Sequence, residues 1–137
     1  MTKLRAEVVL NDCKLALSKF DGQLIDDEFR LNLVLNLALL RAVGHCIKNE
    51  VGIRDTLFAT KSTESIYNNF IKDFRDEILK NYNASVDWSL ISINDDDSYE
   101  VKYLITKGTY ENKDVRHVIA EAIEWWERYI EELKIKL

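Results

Sequence analysis

Along most of this chain, apolar residues recur every three or four positions, the spacing that places them on one side of an α-helix. Residues 3–20 carry such a stripe, and the Asp21-Gly22 pair that follows predicts a helix end, since glycine is able to take a positive φ. Asp26 is the predicted N-cap of a second helix that extends to about residue 49. The middle of this helix, LNLVLNLALLRAVGHCI, is apolar on most of its circumference, so we expect neighbouring elements to cover it on several sides.

A third helix, a β-hairpin and a final helix are predicted in the rest of the chain. Ser62 or Thr63 is the expected N-cap of the third helix. The apolar stripe of that helix consists of Tyr67, Phe70, Ile71, Phe74 and Ile78. The segments SVDWSLISI and YEVKYLIT then alternate apolar and polar positions, and the turn-forming NDDDS between them predicts a hairpin. Asn112 or Asp114 is the expected N-cap of a last helix whose apolar stripe reaches the C-terminus.

These elements predict one mainly α-helical domain over residues 1–137: a helical bundle of four main helices with a β-hairpin inserted before the C-terminal helix. The length of 137 residues and the 47% hydrophobic content are sufficient for one core. The chain contains no proline, so its helices can run without kinks.

Charge and cysteine content restrict the class of protein. The formal net charge of −5 argues against a protein that coats nucleic acid or an anionic membrane through its overall field, and leaves room only for a local basic strip. Two cysteines cannot form a disulfide framework, and no signal-peptide pattern opens the chain, so we expect a cytoplasmic protein. The apolar stretch of residues 31–47 is interrupted by two Asn, an Arg and a His, which predicts a buried core helix and no membrane association.

Soft and hard metal ligands are present, but not at the spacing that metal sites require. Cys13, His45, Cys46 and His117 do not form the C-x-x-C or H-x-x-x-H patterns of zinc sites. The aspartates at 95–97 lack the glycine and the spacing of an EF-hand loop, which favours a solvated hairpin tip. We therefore expect no metal and no cofactor, and we expect Cys46 to pack as a small apolar residue.

Two adjacent tryptophans, Trp125 and Trp126, lie on the predicted last helix. Neighbouring helical residues diverge by about 100°, so at most one of the two is expected at the centre of the apolar stripe. The other is expected to flank the core or to face a partner chain.

A basic strip is predicted on the second helix. Arg41 and His45 are four residues apart and therefore share a face, with Arg30 and Lys48 roughly in line. A cation beside an imidazole can hold and attack a phosphodiester. Two structural alternatives explain the same strip. It is also expected at the solvent-exposed edge of a core helix, and on a helix face that pairs with carboxylates of a neighbouring element.

The segment FRDEILKNY at residues 74–82 carries a motif. This segment is similar to the motif of the HEPN superfamily. In that motif an Arg near the end of a late helix is often followed by Asn or Asp, and after four to six residues by a His that commonly has a Tyr close behind it. Arg75, Asp76 and Tyr82 match the motif, whereas Lys80 occupies the position of its histidine. The segments LLRAVGHCI and AIEWWERY also resemble a poorly characterised, sometimes plasmid-borne group of bacterial proteins related to HEPN domains.

The resemblance implies a HEPN-like arrangement of the helices, a homodimer with facing Arg-containing motifs, and a role as an accessory of toxin–antitoxin or phage-defence systems. Cleavage in this family resembles metal-independent attack by a ribose 2′-hydroxyl, for which lysine is a poor proton carrier unless desolvation lowers its pKa of roughly 10.4. We therefore expect RNA or nucleotide binding without efficient ribonuclease activity. A protein-interaction module with no nucleic-acid role, a weak ribonuclease that uses Arg75 with His45, and an ordinary amphipathic helix end remain open as alternatives.

Overall fold

The computed structural model of this protein describes residues 3–81, 86–93 and 99–137. Its α-helices are α1 (Arg5–Lys19), α2 (Asp26–Val51), α3 (Phe58–Lys61), α4 (Arg75–Asn81) and α5 (Val115–Lys136). Gly52–Arg54 forms a 3₁₀ turn, and Ile66–Phe74 forms a π-helix that continues directly into α4. The strands β1 (Val86–Ile93) and β2 (Tyr99–Ile105) precede α5. The predicted architecture, mainly helical with a hairpin before the last helix, is confirmed.

Helices α1 and α2 form an antiparallel pair that is tied at both ends by side chains of α2. The N-cap residue of α1 makes no side-chain capping bond. The Glu50 carboxylate replaces it by accepting from the backbone N–H groups of Arg5 and Ala6 at 2.8 and 3.0 Å. At the other end the buried Asn36 amide donates to the carbonyl of Ala16 at 3.4 Å. Residues far apart in sequence thus satisfy the free groups at the ends of α1.

Two local predictions about helix N-caps were wrong. Ile25, not Asp26, is the N-cap of α2, and its side chain makes no capping bond. Ser62 and Thr63 do not cap the third helix, which begins at Ile66, because the Thr63 hydroxyl donates back to the Thr60 carbonyl at 2.7 Å and closes the preceding turn.

Gly22 is needed for close packing and not for a positive φ, which occurs instead at Gly52 and Gly108. The Gly22 carbonyl accepts from the N–H of Val101 at 2.8 Å. A Cβ atom at this position would lie 3.1 Å from the Cγ atom of Glu100. The turn after α1 therefore docks against the second strand of the hairpin.

The hairpin is antiparallel and packs one face onto the helices. Val86 pairs with Ile105, and Tyr103 pairs with Trp88, before an irregularity at Leu90/Ser92. Side chains of Val86, Val101, Tyr103 and Ile105 are buried, which confirms the predicted alternation at these positions. The NDDDS turn and its aspartates at 95–97 lie outside the described residues.

A buried charged group joins the hairpin to α5 and to the turn between α1 and α2. Asp114 caps α5 as predicted, accepting from the Arg116 N–H at 2.9 Å, and its other oxygen accepts from the Tyr103 N–H at 3.3 Å. The Arg116 guanidinium donates to both oxygens of Asp114 at 3.1 and 2.9 Å and lies 4.8 Å from the centre of the Tyr103 ring. The Tyr103 hydroxyl lies 2.6 Å from the Leu24 carbonyl and 2.9 Å from that of Asp21, so it donates into this turn.

Both tryptophans of α5 are buried, so the expectation that one would flank the core or face a partner chain was wrong. Trp125 is 4% exposed and Trp126 is 1% exposed. The indole N–H of Trp126 donates to the Leu40 carbonyl at 2.9 Å, and that of Trp125 donates to the Glu64 carboxylate at 3.2 Å. Because α5 packs between α2 and the π-helix, both of its sides are covered. A tryptophan exposed to a partner chain therefore no longer supports a homodimer, and the HEPN resemblance is the remaining support. The homodimer itself stays a prediction.

One face of α2 is not covered by other elements. Leu31 and Leu35 are 58% and 49% exposed, although α1, the π-helix, α4 and α5 cover the other sides of α2. Within the described residues, the segment Asp26–Arg54 is the one helix whose length and composition would allow it to cross a membrane. The core helix of a soluble protein passes the same test, and a stripe of α2 from Phe29 to Val51 is buried in the core.

Replacing Asp114 with Ala removes the helix cap and leaves Arg116 without its partner in a largely buried site. We expect the free energy of unfolding to fall by about 3 kcal/mol. Loss of a cap costs about 1 kcal/mol and breaking a fully buried pair about 3–5 kcal/mol, but the Arg116 side chain is 20% exposed, so water compensates part of the second cost. Urea denaturation measures this loss. Asp27→Ala is the matched control because Asp27 pairs with Arg30 at the surface, where such pairs contribute at most about 1 kcal/mol.

The same site gives a pH dependence. Burial raises the pKa of Asp114, but the hydrogen bonds and charge of Arg116 outweigh it and hold that pKa below its usual value. The stabilisation is therefore present above about pH 4 and is lost as pH falls through the lowered pKa of the folded state. An equal stability difference between wild type and Asp114→Asn at pH 7 and at pH 2 would contradict this assignment.

Candidate functional site

A cavity of about 320 Å³ lies between the C-terminal half of α2, the turn that follows it, the π-helix and α5. Its lining combines basic, acidic and aromatic side chains. The lining residues are Arg41, Gly44, His45, Ile47, Lys48, Gly52, Asp55, Phe58, Tyr67, Trp126 and Tyr129.

The bottom of the cavity is formed by buried residues of α2 and α5. Ile47, Trp126 and Tyr129 are almost fully buried. A Cβ atom at Gly44 would lie 3.1 Å from the Cη2 atom of Trp126, so the glycine lets the indole approach α2 closely. Gly44 and Trp126 therefore lie side by side in the lining of the cavity.

Aromatic rings line one wall of the cavity. The ring of Tyr67, from the π-helix, stacks on Trp125 with centroids 5.5 Å apart and meets Trp126 edge-on at 6.0 Å. Phe58 from α3 contacts the Tyr67 ring edge-on at 5.6 Å and is 45% exposed, which places it at the rim. Short π-helical segments are frequent at functional sites, and here one supplies a residue of the cavity wall.

An acid and a phenol form a closely bonded pair at the cavity. The Tyr129 hydroxyl donates to Oδ2 of Asp55 at 2.5 Å, and Oδ1 of Asp55 accepts from the Leu57 N–H at 3.1 Å. Burial, and then the hydrogen bond to Asp55, raises the pKa of Tyr129. Tyr129 therefore stays protonated, and Asp55 is held in a fixed orientation.

Three basic residues of α2 lie together at the cavity, as the i, i+4 spacing of Arg41 and His45 predicts. Arg41 donates from Nη1 to the Tyr67 hydroxyl, and its guanidinium carbon lies 5.7 Å from the centre of the Tyr67 ring. His45 and Lys48 line the same cavity and are exposed. Arg30, which the sequence placed roughly in line with them, pairs with Asp27 at 3.1 Å and does not line the cavity.

Arg75 approaches this basic strip from α4. Desolvation is the main cause that lowers the pKa of His45, and the charges of Arg41, Arg75 and Lys48 lower it further. Helices α2 and α4 pack against each other, so the charge of Arg75 acts on His45, although Arg75 does not line the cavity. Arg75 donates from Nη1 to Asp76 at 2.7 Å, while its buried Nε atom has no hydrogen-bond partner among the described residues.

The rest of the HEPN-like motif does not converge with Arg75 in the described residues. Lys80 is exposed and follows Arg75 by five positions in α4, so the two side chains point about 140° apart. Tyr82 lies outside the described residues. The arginine of the motif is therefore associated with the strip on α2 and not with Lys80.

Several residues of the cavity were not predicted from the sequence as functional. Tyr67 and Trp126 were assigned to apolar stripes, and Asp55, Phe58 and Tyr129 were not singled out. Asp55 and Tyr129 are 74 residues apart in sequence, so no local spacing could have paired them. In the described part of the chain, no group of three or more His, Cys, Asp and Glu side chains is arranged to hold a metal ion.

The neighbourhood of His45 can be tested by NMR titration of its imidazole. We expect a pKa below 6.5, the ordinary value for histidine. Arg75→Gln and Arg41→Gln should each raise this pKa, because each removes a positive charge that disfavours the imidazolium. Arg30→Gln is the control, since Arg30 is fifteen residues from His45, about 22 Å along α2. An unchanged His45 pKa in Arg75→Gln would show that the two side chains are not close.

Comparison with known proteins gives no family assignment. No protein-family model, no curated protein and no solved structure matches this chain significantly.

Proposed function

We propose that this protein binds single-stranded RNA or its nucleotides at the cavity beside Arg41, His45 and Lys48. The observation that carries the proposal is one cavity in which cationic groups lie next to exposed aromatic surface. We further propose that it acts as an accessory of the toxin–antitoxin or phage-defence type without efficient ribonuclease activity, a role for which the HEPN-like motif is the only support.

The cationic side of the cavity suits a phosphate. Arg41 and Lys48 carry positive charge, and Arg75 adds to the field from α4. Since the whole chain carries a net charge of −5, an approaching polyanion is attracted only where such a local cluster exists. Arginine and lysine contacts to phosphates position a nucleic acid without reading its sequence.

The aromatic side suits a base. Phe58 is partly exposed at the rim, and Tyr67 lies behind it. Stacking of a base on an aromatic ring contributes about 1–3 kcal/mol and accepts any base. A cavity of about 320 Å³ is at the small end of the range of about 300–1,000 Å³ for ligand sites, so it fits one nucleotide and not a duplex.

Weak metal-independent ribonuclease activity is a second candidate function. The proximity of Arg75 to His45 favours it, because a neutral imidazole can accept the proton of a ribose 2′-hydroxyl while the guanidinium holds the phosphate. Lys80 is not placed for this role, since it is exposed on α4 and its side chain points about 140° away from that of Arg75.

Binding of a short single-stranded RNA, measured by fluorescence anisotropy across a salt series, tests the first function. Lys48→Gln should weaken binding and reduce the slope of log K against log salt by about 0.7, the value for one phosphate contact in a single strand. Lys19→Gln, which removes an exposed lysine at the end of α1, is the matched control. Absence of binding by the wild type would refute the proposal and favour the protein-interaction module.

Cleavage of a mixed RNA pool in the presence of EDTA tests the second function. If His45 is the base, the slow cleavage by the wild type should be lost in His45→Ala and in Arg75→Ala, since each removes one of the two required groups. Lys80→His restores the motif residue and should raise cleavage only if that position reaches the RNA. Equal rates in wild type and His45→Ala would exclude His45 as the base.

A further inference from the structure

The polar groups of the cavity carry information about which base it accepts. They fall into an acceptor side, the Asp55 carboxylate, and a donor side, Arg41 with the Tyr67 hydroxyl. We propose that the cavity binds a guanine nucleotide with its base in the interior and its phosphate at the basic rim. The pairing edge of the base donates hydrogen bonds to the Asp55 carboxylate. This inference rests on the proposed nucleotide binding and specifies its ligand.

The direction of entry follows from burial. Trp126 and Tyr129 at the bottom of the cavity are each 1% exposed, so a charged phosphate placed there would lose its hydration. His45 and Lys48, in contrast, are exposed at the rim. The apolar base therefore occupies the interior, and the phosphate stays near the cations and in contact with water.

Asp55 has unused capacity to accept hydrogen bonds. A carboxylate offers about four lone-pair sites on its two oxygens. Each oxygen of Asp55 accepts one bond, from Tyr129 at 2.5 Å and from the Leu57 N–H at 3.1 Å, so each retains one free site. Two adjacent acceptors on a fixed carboxylate match two adjacent donors on a ligand.

Among the four RNA bases, guanine alone presents two adjacent donors, N1–H and the N2 amino group, on its pairing edge. Adenine and cytosine each place a ring nitrogen acceptor beside a single amino group. A carboxylate repels that ring nitrogen. Uracil places its one N–H between two carbonyl groups. A site that accepts from two donors discriminates against ligands that lack one of them, because the bound ligand shields the second acceptor from water and leaves it unpaired.

The donor side satisfies the remaining group of guanine, its O6 acceptor. The Tyr67 hydroxyl accepts from Arg41 and therefore keeps its own proton available for donation. The rings of Tyr67 and of Tyr129, the partner of Asp55, both contact Trp126 edge-on, with centroids 6.0 and 5.4 Å from it, and both residues line the cavity. Donor and acceptor thus line the same cavity, as O6 and N1–H lie side by side on the pairing edge of guanine.

Isothermal titration of the full chain with GMP, IMP, AMP, CMP and UMP tests the inference. GMP should bind at least about fivefold more tightly than AMP, CMP and UMP, the lower limit of what a bidentate base contact contributes. IMP, which keeps N1–H and O6 but lacks the amino group, should fall between GMP and AMP. Lys48→Gln should weaken all five by a similar factor.

Asp55→Asn retains the size of the side chain and one acceptor oxygen. It should reduce GMP affinity about fivefold or more without reducing AMP affinity, because it removes one acceptor for guanine and also removes the charge that repels the adenine ring nitrogen. Its melting temperature and circular dichroism report whether it folds; if it does not, the comparison of GMP with IMP on the wild type decides. Equal affinity for all five nucleotides would overturn the guanine preference and leave nucleotide binding intact. Absence of binding by any of them, together with absence of RNA binding, would overturn both.

Discussion

The arrangement of this molecule depends on one buried carboxylate, Asp114, which four groups approach. Its carboxylate accepts hydrogen bonds from the backbone N–H groups of Arg116, at the N-terminus of α5, and of Tyr103. It also accepts from Nε and Nη2 of the Arg116 guanidinium. Removing a carboxylate from water is costly, and only such a complete set of donors compensates for it. Because Arg116 also covers the Tyr103 ring, and the Tyr103 hydroxyl reaches the turn after α1, the hairpin, α5 and the first two helices are fixed relative to one another.

The cavity depends on this arrangement. Its residues come from α2, the turn after it, α3, the π-helix and α5, and each polar side chain at the bottom is bonded to one from a different element. Arg41 of α2 bonds Tyr67 of the π-helix, and Tyr129 of α5 bonds Asp55. Such cross-bonding keeps these side chains oriented, which lowers the conformational entropy that they would lose if a ligand bound.

Much of the fold could be predicted because it is encoded in short-range periodicity. The stripe from Tyr67 to Ile78 and the alternation at Val101 and Tyr103 both record which side of an element is buried. Helix ends were less predictable because tertiary contacts override local capping: Glu50, forty-five positions away from Arg5, caps α1. Burial of both Trp125 and Trp126 could not be predicted either, since it requires elements on two sides of α5.

The candidate site was predictable to the same limited extent. Arg41 and His45 share a face by helical spacing alone, and that half of the cavity follows from sequence. The other half is formed by Asp55 and Tyr129, which only the folded chain brings together, and by Gly44, whose role depends on the position of the Trp126 ring. The Arg75 motif predicted a site on α4, whereas the described structure associates Arg75 with α2.

Helix α5 separates the part of the molecule that maintains the fold from the part that forms the cavity. Twelve residues, or about 18 Å of helix, lie between Asp114 at its beginning and Trp126 at the cavity. Mutations at Asp55, Phe58 or Lys48 therefore leave the contacts of Asp114 intact. Over evolutionary time, descendants of one ancestor can acquire different ligand preferences while inheriting the same scaffold, so divergence in this lineage is expected to concentrate at one end of α5.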